Sequence, residues 1–176
     1  MSKASKTDSQ SLNNTFWPDM PSPIIQSHKA RTKNLADLCK CYADNDDTRI
    51  QGYLAKYLAI MASAYIEISV KEELSEFCEN KSHPAIKEFV KTTLAWENSL
   101  GCNKIETILG RFDKRIWDRL ITTLTEEQVA SIDSLKALRD QIAHGKDNNT
   151  GYLVISRYFD AIVDFPEKLA VALKGV

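Results

Sequence analysis

Residues 48–80 read TRIQGYLAKYLAIMASAYIEISVKEELSEFCEN, a run with a single glycine and no proline. Within it Leu54, Tyr57, Leu58, Met61, Tyr65 and Ile68 recur mostly at steps of three and four, the pattern of one helical face. The run therefore predicts a helix from about Thr48 to Asn80, the longest element of the chain. On its N-terminal side Asp44-Asn45-Asp46-Asp47 is a break. Before that, Ser22-Pro23 supplies a cap and a first turn for a helix from Ile24 to about Asp44, with Leu35 and Leu38 facing inward.

On the C-terminal side Ser82-His83-Pro84 restarts a shorter helix to about Asn98, in which Ile86, Phe89, Val90, Leu94 and Trp96 supply the apolar weight. Leu100-Gly101-Cys102 reads as a loop. Asn103 with Glu106 resembles a capping box, opening a segment that carries Ile105, Ile108, Leu109, Phe112, Ile116, Trp117 and Leu120, with Gly110 as a possible interruption. Thr125 with Gln128 is a second such box, and Val129, Ile132, Leu135, Leu138 and Ile142 follow at helical spacing until Gly145, placed as the C-terminal cap. After a polar loop, Tyr152-Leu153-Val154-Ile155 is expected to be extended, and Ser156 to cap a last helix to about Lys174 that Pro166 bends or divides. The expectation is an all-α, antiparallel up-and-down bundle of five to six helices.

Composition agrees. The 176 residues suit one domain, expected over 23–176, behind a flexible polar tail at 1–22 in which Phe16 and Trp17 are isolated. Only 6 Gly and 5 Pro disfavour a turn-rich β fold. Lys plus Arg total 23 against 24 Asp plus Glu, so no global basic field marks a polyanion-coating protein, and any nucleic-acid contact has to be local. No secretory or membrane-spanning segment is visible, which suggests a cytoplasmic protein. Cys39, Cys41, Cys78 and Cys102 match neither a paired zinc motif nor a disulfide framework, and read as reduced, mostly buried thiols. Neither a metal site nor a cofactor is expected.

One segment carries chemistry: Leu138-Arg139-Asp140-Gln141-Ile142-Ala143-His144-Gly145 sets an arginine and a histidine five residues apart at a helix end. A histidine titrates near pH 6.5 and can take or give a proton, and the negative end of a helix favours its charged form. An arginine is always charged and presents a planar fork to phosphate oxygens. RNA brings its own nucleophile, the 2'-hydroxyl, so a base and a cation suffice without a metal. Five residues advance a helix by about 500°, which leaves the two side chains about 140° apart around the axis. They converge within one chain only if the helix end unwinds, and Gly145 would allow that.

An Arg, a polar residue, three further residues and then His-Gly, at the end of the penultimate long helix, resembles the HEPN superfamily. The long second helix and the trailing start at Ile155-Ser156 look most like its RiboL-PSP-HEPN branch, over residues 24 to 174. The resemblance implies a metal-independent endoribonuclease that leaves a 2',3'-cyclic phosphate and a 5'-hydroxyl. It also implies a homodimer in which two helix ends form one composite site, and a toxin or defence setting with an antitoxin or neighbouring defence protein as partner. Arg139 and His144 would be catalytic, with Asp140 assisting by orienting or raising the pKa of His144. Glu67 resembles an acidic position in the second helix of relatives, although a solvated helix back is the plainer reading. Lys146, Asn148 and Asn149 are candidates for RNA phosphate or sugar contacts. His144-Gly145-Lys146 departs from the His-x-Tyr continuation of some HEPN toxins, so modification of that tyrosine is not implied. Tyr53, Tyr57 and Tyr65 read as core or dimer-face packing, and Lys29, Arg31 and Lys33 as a solvated face. The alternative function is a non-catalytic nucleotide-binding or protein-interaction module.

Overall fold

The computed structural model describes residues 20–43, 47–79, 82–146 and 149–175. Most of the expected tail, the Asp44-Asn45-Asp46 break and Asn148 lie outside the described residues. Among the described residues eight helices follow in order: α1 (Pro23–Cys41), α2 (Thr48–Glu79), α3 (Pro84–Ala95), α4 (Cys102–Gly110), α5 (Lys114–Thr123), α6 (Glu126–Ala143), α7 (Tyr152–Ala161) and α8 (Phe165–Lys174). The fold is all-α, as the periodicity requires. The count exceeds five to six because two segments divide. Asp113 caps a fresh start for α5 by accepting the Arg115 N–H at 2.9 Å, and Pro166 sits in the first turn of α8, where its missing N–H costs nothing.

Helix α2 runs through the middle and packs against α1, α3, α6, α7 and α8. Leu58, Tyr65, Ile66, Val70 and Leu74 are buried along it, together with the small residues Ala55, Ala59, Ala62, Ser63 and Ser69, which let neighbouring axes approach. The Tyr65 hydroxyl donates to the Val163 carbonyl at 2.9 Å, and its ring meets Phe159 edge-on at 5.5 Å, fixing α2 against the turn between α7 and α8. The buried apolar residues form one contiguous cluster.

Several local expectations are corrected. Residues 152–155 are the first turn of α7 rather than an extended piece, and Ser156 lies inside that helix. Four apolar residues in a row do not separate a strand from a buried helix. Asn103 and Glu106 form no capping box: Gly101 is the N-cap of α4, and the Cys102 N–H instead donates to Asp133 Oδ1 of α6 at 2.8 Å. Leu38 points outward. Helix α3 ends at Ala95, three residues early, leaving Trp96 in solvent. Cys39, Cys78 and Cys102 are buried and Cys41 is exposed, all as free thiols.

Candidate functional site

Helix α6 begins with the Thr125–Gln128 capping box and ends in a Schellman turn. The Lys146 N–H donates to the Gln141 carbonyl at 2.9 Å and the Gly145 N–H to Ile142 at 3.1 Å, with Gly145 at φ +66°, where a β-carbon is strained. His144 is the C-cap, and its backbone N–H still donates to the Asp140 carbonyl at 3.0 Å. The helix therefore does not unwind between Arg139 and His144, and the angular gap between them persists. The terminal glycine acts one residue too late to bring them together. Arg139 is half-buried and His144 exposed, and no hydrogen bond or ion pair joins the two.

Around Asp140 the structure brings together what the sequence scatters. Residues 96–101, between α3 and α4, form a tight loop in which Ser99 takes φ +56°, a left-handed conformation that costs a non-glycine residue on the order of 1 kcal/mol. Two bonds hold it there. The Ser99 N–H donates to Glu67 Oε1 of α2 at 2.6 Å, and its hydroxyl donates to Asp140 Oδ1 of α6. Lys136, one turn earlier on α6, reaches Asp140 Oδ2 at 2.9 Å, and Arg139 Nη1 lies 3.4 Å from Oδ1. The Ser99 hydroxyl, then Lys136, holds the Asp140 carboxyl below the usual carboxylate range, so it is ionised at neutral pH.

The same loop is fastened on its far side. Glu97 pairs with Lys104 at 3.2 Å and Arg111 at 2.6 Å, and the Lys104 ammonium donates to the Asn98 carbonyl at 2.7 Å. Gly101 lets the backbone pass close to α6, since a β-carbon there would stand 2.8 Å from Asp133 Oδ1.

Two sequence expectations change. Glu67 is not a solvated back-of-helix residue: it is half-buried and holds the Ser99 loop. Asp140 shares a helix face with His144, but its carboxylate is turned to Ser99, Lys136 and Arg139, and no hydrogen bond joins it to the imidazole. Lys146 is exposed beyond the helix end, and Asn149 is exposed in the loop after it. Ser99 was missed because nothing in Asn98-Ser99-Leu100 marks a left-handed turn. Lys136 was legible as the i−4 partner of Asp140.

The model of the RiboL-PSP-HEPN family matches residues 27–174, nearly the whole described chain. This chain belongs to the RiboL-PSP-HEPN family. Comparison with curated proteins and with solved structures finds no match. HEPN domains are generally ribonuclease-like, and they often bind RNA and dimerise. Among the described residues, no helix of this HEPN domain is long and apolar enough to cross a membrane.

Proposed function

We propose that this HEPN domain is a metal-independent endoribonuclease with a composite site at a homodimer interface. The observation that carries this reading is the support built around the Arg139–Asp140 pair: Glu67 of α2 holds the α3–α4 loop at Ser99, and the Ser99 hydroxyl in turn bonds the α6 carboxylate beside the arginine. A merely solvated helix end has no need of such support.

In this reading His144 removes the 2'-hydroxyl proton as the 2'-oxygen attacks the adjacent phosphorus. Arg139 neutralises charge on the phosphorane, and the bond to the 5'-oxygen breaks as that oxygen takes a proton from His144 of the second copy. The products are a 2',3'-cyclic phosphate and a 5'-hydroxyl. Asp140, held by Lys136 and by the Ser99 hydroxyl, whose loop Glu67 fastens, fixes the arginine; Lys146 and Asn148 are candidates for backbone contacts.

Dimerisation has a candidate face. Ile50, Tyr53, Tyr57 and Ile60 stand exposed at steps of three and four along the N-terminal half of α2, with Tyr53 71% and Tyr57 53% accessible, while Tyr65 is core. Exposed aromatic residues in one row are the usual mark of a covered surface. A toxin or defence role in the cytoplasm, restrained by an antitoxin or neighbouring protein, is the setting we propose for such a nuclease.

The test is incubation with RNA in EDTA. Wild-type protein is expected to cleave, and His144→Ala and Arg139→Ala to lose about a hundredfold or more. Equal cleavage by all three proteins would take the activity away from Arg139 and His144, and no cleavage by wild type would point instead to a non-catalytic nucleotide-binding or protein-interaction module.

A further inference from the structure

Trp96 is 84% exposed, the highest fraction among the large apolar side chains described. An indole left in water gives up a large gain from burial, so its position on a fixed loop calls for a partner. The backbone that follows it is held: its own carbonyl accepts the Asn98 side-chain amide at 3.2 Å, and Ser99, three residues on, is bonded to Glu67 and Asp140. The indole is thus displayed from a pre-organised loop, with its α-carbon no more than about 11 Å from that of Ser99. Lys136 and Arg139 both stand against Asp140, the carboxylate that the Ser99 hydroxyl bonds.

An exposed aromatic ring on the loop that bonds the carboxylate paired with Arg139 suits a nucleotide: a base can stack on the ring while the backbone meets the cations. Only an unpaired base offers its face in this way. Along α3, Phe89 stands seven residues earlier at nearly the same angle around the axis and is 69% exposed, which continues the aromatic row away from the Arg139 end.

We infer that Trp96 is a specificity-determining residue that stacks on an unpaired base of the RNA engaged at the Arg139–His144 end, which makes the substrate single-stranded. The inference rests on the ribonuclease reading.

The experiment uses the full chain. Binding of a labelled single-stranded oligoribonucleotide and of its duplex is followed by fluorescence anisotropy in a His144→Ala background, and cleavage kinetics are followed in the wild-type background. Trp96→Ala is expected to weaken single-strand binding about tenfold to a hundredfold and to raise KM with kcat nearly unchanged; Trp96→Phe restores most of the loss, and duplex binding does not move. Light scattering and thermal melting of each variant accompany the assays. Unchanged single-strand binding and KM in Trp96→Ala, while wild type still cleaves, overturns the stacking role and leaves the nuclease reading intact. A shift in oligomeric state with RNA binding unaltered also overturns it, and assigns the indole to a protein contact. Failure of wild type to cleave or bind any RNA removes both readings together.

Discussion

Replacing Glu73 with glutamine should stabilise this protein, by an amount that grows with pH. Glu73 lies on α2 facing α8 and is 1% exposed, and its Oε2 has no hydrogen-bond partner. It lines a cavity of about 160 Å³ with Met20, Pro21, Glu167, Ala170, Val171 and Lys174. Burial, then the nearby Glu76, Glu167 and Glu72, push its carboxyl from an ordinary 4.5 up to about 8, against a smaller opposing effect of Lys174. Between those two values the folded protein holds a proton that the unfolded chain has released, so stability falls as pH rises. Each pH unit in that window costs about 1.4 kcal/mol, which amounts to about 3 kcal/mol at pH 7 and levels off near 5 kcal/mol above pH 8. Glutamine keeps the shape and cannot ionise. Thermal unfolding of wild type and Glu73→Gln across pH 4.5 to 9 should therefore show nearly coincident midpoints at the acid end. By pH 7 the variant should melt about 6–12 °C higher. A difference that is constant across this range, or a wild type that gains on the variant as pH rises, would refute the assignment of Glu73 as a neutral buried acid.

Two further outcomes follow from the geometry at Ser99 and α6. Ser99→Ala and Ser99→Gly both remove the hydroxyl from Asp140, but only glycine relaxes the left-handed backbone, so Ser99→Gly should be the more stable by about 1 kcal/mol in urea unfolding. If the hydroxyl positions Asp140, both should lose RNA cleavage to a similar degree, about tenfold; activity that tracks stability instead assigns Ser99 to the loop alone. Mixing inactive Arg139→Ala with inactive His144→Ala, after dissociation and reassociation, should restore a small part of the cleavage through mixed dimers that join one intact Arg139 to the other copy's intact His144 as base, with water replacing the missing second histidine as proton donor to the 5'-oxygen. No recovery would refute the reading in which one Arg139 and one His144 from different chains suffice for cleavage.

What the sequence disclosed is what repeats locally. The 3.6-residue period of 48–80 and the Thr125–Gln128 box are short-range signals, and α2 and α6 follow them closely. Residues 152–155 failed because an apolar run has no period of its own, and the Asn103–Glu106 box failed because the helix begins earlier, at Cys102, whose orphan N–H is taken by Asp133, thirty-one residues on. Arg139 and His144 were legible as a pair because both stand on one helix. The link between Glu67 and Asp140 was not, because it passes through one serine in a loop, and no spacing in the sequence encodes a bond across three elements.

The regularity of the α6 end is the observation with the widest consequence for the proposed chemistry. Had the helix opened before His144, one chain could have assembled base and cation, and dimerisation would have been incidental. Instead the His144 N–H bonds Asp140 and the Schellman turn closes after it, so the imidazole projects outward while Arg139 is held inward against Asp140. A rigid helix end of this kind fixes the two groups accurately but on different sides of one axis. In the proposed dimer, a second α6 turned about a dyad would set its histidine toward the first copy's arginine without distorting either helix. The proposed arrangement would also let a nearly neutral chain act on a polyanion, since the cations concerned would come from two chains to one place and need not be spread over either surface.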